Sequence, residues 1–155
     1  MTIFDIMGPV MVGPSSSHTA GAVRIGLITR RLLGSQPVEA SLLLHGSFAA
    51  TGAGHGTDRA LAAGLLGMPP DDPAIPRSFM LARQAGMALS VGSVVLRGAH
   101  PNTVQLTLEG EHGAHLEMEA ASVGGGNIDI TSLGGMNVDF SGKENTLIIR
   151  HRDTP

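Results

Sequence analysis

Val104-Gln105-Leu106-Thr107-Leu108-Glu109 alternates apolar and polar side chains, and after a turn Leu116-Glu117-Met118-Glu119-Ala120-Ala121 does so again. Ile128 and Ile130 flank Asp129 in the same way. Successive side chains of a strand point to opposite faces, so a period of two with one polar face predicts antiparallel strands covered on one side only. Turns are expected at Gly110 to Gly113 and at Gly134 to Gly135. Upstream the period changes. Val23, Leu27, Ile28 and Leu32 form an apolar stripe at helical spacing, with Arg24, Arg30 and Arg31 left in water. The spacing predicts a helix from about Ala20 to Leu33, capped by Ser17 or Thr19 and stopped by Gly34. Val38 to Leu44 reads as a buried strand. Thr57 to Leu66 reads as a second helix ending at Gly67, and Ser78 to Leu89 as a third. Four prolines and two aspartates make Met68 to Pro76 a surface loop. The expected fold class is α+β, a mostly antiparallel sheet with two or three helices packed on one face.

Composition narrows the function. The 155 residues fit one domain, and the net charge of −3 is spread along the chain. With 3% aromatic residues and no basic patch, nucleic acid is not an expected partner. No run reaches membrane-span length, so no membrane association is expected. The apolar stretch Met1 to Val12 is broken by Asp5, Gly8 and Pro9, unlike a signal peptide, which points to a cytoplasmic protein. There is no cysteine, so the chain offers no disulfide, no thiol nucleophile and no thiolate metal ligand.

Four polar segments interrupt the apolar pattern. Gly13-Pro14-Ser15-Ser16-Ser17-His18-Thr19 precedes a helix, whose free N–H groups and hydroxyl neighbours would suit a carboxylate. A plain helix cap in a serine loop reads the same way. Gly46-Ser47-Phe48 through Gly54-His55-Gly56-Thr57-Asp58 leaves a strand and enters a helix, with glycine on both sides of His55. That pattern fits a closely approached site or a surface turn. His100-Pro101-Asn102-Thr103 is a turn before a strand. Ser122-Val123-Gly124-Gly125-Gly126-Asn127 fits an anion-binding nest or a bulge. His112 and His115, beside Glu111 and Glu117, read as exposed rather than as a metal site. No metal site is expected in the chain. His45 and His151 have no distinctive neighbours.

In this order and spacing the four segments, together with Phe4-Asp5-Ile6 and Gly8 to Gly21, resemble the β chain of the bacterial two-subunit iron–sulfur L-serine dehydratases. The resemblance runs from about Phe4 to Arg150. It implies a β domain over residues 1–144, and a truncated start of an ACT domain or tail over residues 145–155. It implies L-serine ammonia-lyase activity, in which L-serine loses water and yields pyruvate and ammonia. That activity needs a partner α subunit holding a four-iron four-sulfur cluster, and the isolated chain is expected to be inactive. It assigns His55 as the base that removes the Cα proton and His18 as an orienting or proton-sharing group. Substrate binding falls to Ser15, Ser16, Ser17, Thr19, Gly54, Thr57, His100, Asn102, Ser122, Gly124, Gly125 and Gly126. A homodimer is also expected. One position departs from the pattern, because a Tyr often stands where this chain has His45. A different class stays open: a non-catalytic allosteric domain that binds a small serine-like anion, as a similar fold does in some phosphoglycerate dehydrogenases.

Overall fold

A computed structural model describes residues 16–50 and 56–143. The expected boundary near residue 144, the tail 145–155, and Ser15, Gly54 and His55 lie outside the described residues. The elements are α1 (Ser16–Leu33), β1 (Glu39–Leu44), α2 (Thr57–Leu65), α3 (Ser78–Gln84), β2 (Ala88–Ser93), β3 (Thr103–Glu109), β4 (His115–Gly124), β5 (Asn127–Leu133) and β6 (Met136–Phe140). Short 3-10 turns occupy Ile75–Arg77 and Glu111–Gly113. One six-stranded sheet runs in the order β2-β1-β3-β4-β5-β6. Only β1 and β2 pair in parallel. The fold is the expected α+β class.

The alternating segments became β3, β4 and β5. Val104, Leu106 and Leu108 are fully buried, as are Leu42 and Ile130. Cross-strand register puts Leu106 opposite both Leu42 and Met118, so one face of the sheet is continuous core. The strands carry the acids Glu39, Glu109, Glu117, Glu119, Asp129 and Asp139 and no Lys or Arg.

Helix α1 lies between the sheet and α2. On one side it contacts β4 and β5, and on the other Gly26 meets Gly64 of α2. A methyl on Gly26 would sit 2.8 Å from the Gly64 Cα and 2.5 Å from the Leu61 carbonyl oxygen, so glycine sets how closely the helices approach. Being covered on two sides, the helix buries Ala22, Val23, Ile25 and Thr29 completely and leaves Leu27, Ile28 and Leu32 half-buried. The expected stripe is therefore rotated. Arg30 is not free in water either: its guanidinium bonds Gln36 and, at 3.1 Å, the Leu65 carbonyl.

Two helix boundaries differ from expectation. Helix α1 starts at Ser16, so Ser16, Ser17, His18 and Thr19 form its first turn rather than a loop before it. Thr19 lies within the helix and is buried, so it is not the cap. The third helix stops at Gln84, because Gly86 turns the chain at φ +79° into β2. Ala88 and Leu89 therefore belong to an edge strand. The last strand, β6, follows the expected turn at Gly134 and Gly135. Among the described residues no helix is long and apolar enough to cross a membrane.

Candidate functional site

The chain order β1, β3, β4 brings the polar segments to one end of the sheet. Strand β1 ends at Leu44, and Gly46 then turns the chain at φ +59° into a helical turn over residues 47–50. A side chain at Gly46 would run into Pro101, 2.5 Å from its carbonyl oxygen. That carbonyl accepts the N–H groups of Ser47 at 2.7 Å and Phe48 at 3.4 Å. The second and third segments are thus stitched together by backbone, with His45 N–H donating to the Thr103 carbonyl at 3.0 Å. The fourth joins through Ser122 N–H, which donates to the Asn102 carbonyl at 2.9 Å.

His18 reaches this cluster from the first turn of α1. Its Nε2 lies 3.3 Å from the Asn102 amide nitrogen, and its ring meets the fully buried Phe48 ring edge-on, with centroids 6.0 Å apart at 81°. The imidazole and the amide face each other at hydrogen-bond distance, and which of them donates depends on the His18 tautomer. Two buried atoms at the same place have no hydrogen-bond partner: Asn102 Oδ1 and Ser122 Oγ. Leaving such atoms unpaired costs about 1–3 kcal/mol each, so a further hydrogen-bonding partner at this place would be stabilising. Ser122 packs directly on Gly21 of α1, where any larger residue would collide with it.

The remaining expected residues fare unequally. His100 is exposed, and its Nδ1 accepts the Asn102 N–H at 3.0 Å while its carbonyl accepts the Thr103 hydroxyl at 2.7 Å; it shapes the turn that carries Asn102. Gly124, Gly125 and Gly126 have φ of +100°, +61° and +76° and form the β4–β5 turn beside a register shift, which is the bulge alternative. The Gly126 carbonyl accepts from Arg24 at 2.9 Å. Thr57 is buried at the start of α2, behind Gly56 in the left-handed conformation. Ser16 and Ser17 share the first turn of α1 with His18. The residues the sequence did not single out by role are Phe48 and Gly21. A Gly-Ser-Phe run signals the first, while nothing local signals the second, whose partner Ser122 lies 101 positions later in the chain.

Two further described histidines make contacts of their own. His45 Nδ1 accepts the Leu96 N–H at 3.0 Å, a structural role. His115 is exposed and lies 2.5 Å from Glu109 and 3.5 Å from Glu117. The hydrogen bond to Glu109, reinforced by both carboxylate charges, holds its pKa above the ordinary 6.5. Among the described residues no three His, Asp or Glu side chains gather to hold a metal ion.

Comparison with known proteins identifies the family. The family described as "Serine dehydratase beta chain" matches residues 2–85. The "Probable L-serine dehydratase, beta chain" of Bacillus subtilis is 42% identical over 98% of this chain and 69% of its own length. The "L-serine dehydratase, beta chain" of Peptoniphilus asaccharolyticus is 41% identical, over 96% of this chain and 67% of its own. An "L-serine dehydratase" of Mycobacterium tuberculosis is 35% identical over 83% of this chain, which matches 32% of that longer protein. A family match across more than half the chain, and relatives aligned along nearly all of it, make this chain a member of the serine dehydratase beta-chain family.

Proposed function

We propose that the chain is the β half of an L-serine ammonia-lyase, and that the end of the sheet around His18, Asn102 and Ser122 receives L-serine. The observation that carries this reading is the pairing of His18 with Asn102 beside two buried polar atoms that lack partners. A ligand rich in donors, such as the ammonium and hydroxyl of serine, answers that deficit. The start of α1 offers N–H groups to the carboxylate, and Ser15, Ser16, Ser17 and Thr19 are assigned to substrate binding. His55 removes the Cα proton, a task suited to imidazole near neutral pH. His18 orients the substrate and is itself aligned by the Asn102 amide and the Phe48 edge. His100 and the turn Ser122 to Gly126 are assigned to the substrate surround, as are Gly54 and Thr57.

The residues of this chain do not fit an iron–sulfur cluster, since the sequence has no cysteine. In this reading the four-iron four-sulfur cluster belongs to a partner α chain, and the isolated β chain has no turnover. The test is co-expression with a cysteine-bearing α chain, purification without oxygen, and an assay of pyruvate formed from L-serine. Activity is expected in the complex alone. His55→Ala should lower it by about 10²–10⁴-fold while the chains still pair. Full activity of that variant in a normally assembled complex would overturn the assignment of the base.

A further inference from the structure

A cleft of about 300 Å³ lies along α1, between the β4–β5 turn and the segment 141–143 that follows β6. Its wall on α1 is one helical face. Arg24, Leu27, Ile28 and Arg31 stand at i, i+3, i+4 and i+7, the spacing that aligns side chains along a helix. Ile128 of β5, only 4% exposed, extends the apolar floor. The far wall is seated by Gly142, at φ +68°. A side chain there would collide with Ile28, so the glycine lets the segment lie against the helix and bring Lys143 to the rim. His18, Asn102 and Ser122 do not line this cleft.

Its charge is one-sided. Arg24, Arg31 and Lys143 line it, and among the described residues no carboxylate does. The ion pairs found among the described residues both involve His115, so no described carboxylate neutralises these three cations. Arg24 is held in place by its 2.9 Å bond to the Gly126 carbonyl, which uses one of five guanidinium N–H groups and leaves the others free to turn to a ligand. Its neighbour Arg30 is turned elsewhere, toward Leu65 and Gln36. Converging like charges repel, and an oxyanion between them reverses the sign of that interaction. Guanidinium forks match its oxygens in pairs. A volume of this size sits at the small end of ligand sites.

We infer that this cleft is a second binding site, separate from the His18 cluster, for a small oxyanion with a short aliphatic part. The oxyanion meets Arg24, Arg31 and Lys143, and the hydrocarbon rests on Leu27, Ile28 and Ile128. A carboxylate and a phosphate ester share this chemistry, and the experiment separates them.

The isotope-labelled full chain is titrated with inorganic phosphate, acetate and butyrate, following the amide resonances of Gly126 and Asn127. Saturable shifts there are expected with at least one probe, weakened about tenfold by Arg31→Gln and again by Lys143→Gln. Arg97→Gln, an exposed arginine outside the cleft, should leave binding unchanged. Butyrate binding tighter than acetate marks a carboxylate ligand using the apolar floor. Phosphate binding without butyrate binding marks a phosphate ester. Arg31 makes no described hydrogen bond, so its variant should keep the wild-type fold, and Lys143→Gln gives an independent second reading. The inference is overturned if no probe saturates at millimolar concentration, or if binding is indifferent to both substitutions.

Discussion

Gly26→Ala sets two effects of opposite sign against each other. In an exposed helix, alanine is favoured over glycine by about 1 kcal/mol, so propensity alone predicts a more stable protein. Here the new methyl would lie 2.5 Å from the Leu61 carbonyl oxygen and 2.8 Å from both the Gly64 Cα and the Leu65 amide nitrogen. Comfortable contact begins near ~3.5 Å, so α1 and α2 must part by roughly 0.7–1 Å. The obstructing atoms are backbone and cannot rotate away. Behind them Leu61 and Leu65 are fully buried, so any shift of α2 disturbs packed side chains. Overpacking of this kind costs about 1–3 kcal/mol, and a rigid backbone obstacle puts the cost toward the upper end. After subtracting the propensity gain, a net loss of about 1–2 kcal/mol is expected. Urea unfolding followed by circular dichroism reads it as a lower midpoint with an unchanged slope. Gly26→Ala combined with Gly64→Ala should cost less than the sum of the single changes, because the first methyl opens the gap that the second enters. A midpoint equal to or above wild type for Gly26→Ala would refute the reasoning and leave propensity as the governing term.

His115 gives a pH prediction. Its folded pKa is raised, chiefly by the hydrogen bond to Glu109, so the pair contributes stability below the unfolded value of 6.5 and loses it as pH rises through the folded value. The stability gap between wild type and His115→Ala should therefore be wider at about pH 5.5 than at about pH 8.5, and a pH-independent gap would remove the pair from the account. Ser78 is fully buried and its hydroxyl donates to the Arg59 carbonyl at 2.7 Å, tying α3 to α2; Ser78→Ala should cost about 1 kcal/mol in the denaturation midpoint. Gly46→Ala and Gly34→Ala both force a methyl into the left-handed region, at φ +59° and +89°, at about 1–2 kcal/mol each. Only Gly46 also meets a fixed backbone at Pro101, so its variant should be the less stable of the two by about 1 kcal/mol or more.

What the sequence made legible follows from which surfaces were wet. Strands β3 and β4 have one face in the core and one lined by Gln105, Thr107, Glu117 and Glu119, so their period of two is plain. Strand β2 is an edge strand, with Ala88, Ser90, Val91, Gly92 and Ser93 all exposed, and an exposed strand has no face to impose alternation. The helical reading of Ser78 to Leu89 ran through Gly86, whose positive φ is a fact of the backbone that side-chain periodicity does not carry. The start of α1 was misplaced because serines commonly sit outside a helix as caps, whereas here tertiary packing buries Thr19 within it. The polar segments of the candidate site stood out as interruptions of apolar sequence. Their mutual contacts did not, since the Gly46–Pro101 and Gly21–Ser122 fits exist only through space.

The His18–Asn102 contact joins residues 84 positions apart, and the Arg24–Gly126 bond spans 102. Both connect the first described helix to the distal half of the sheet, so neither can form in an N-terminal fragment. During synthesis the chain must emerge past Ser122 before the first turn of α1 has all of its partners. Loop closure over such lengths is paid in entropy before any local interaction repays it, which places these contacts late in folding. Binding competence in this protein therefore arrives all at once, with the last strands, and a nascent chain carries no partial version of the site.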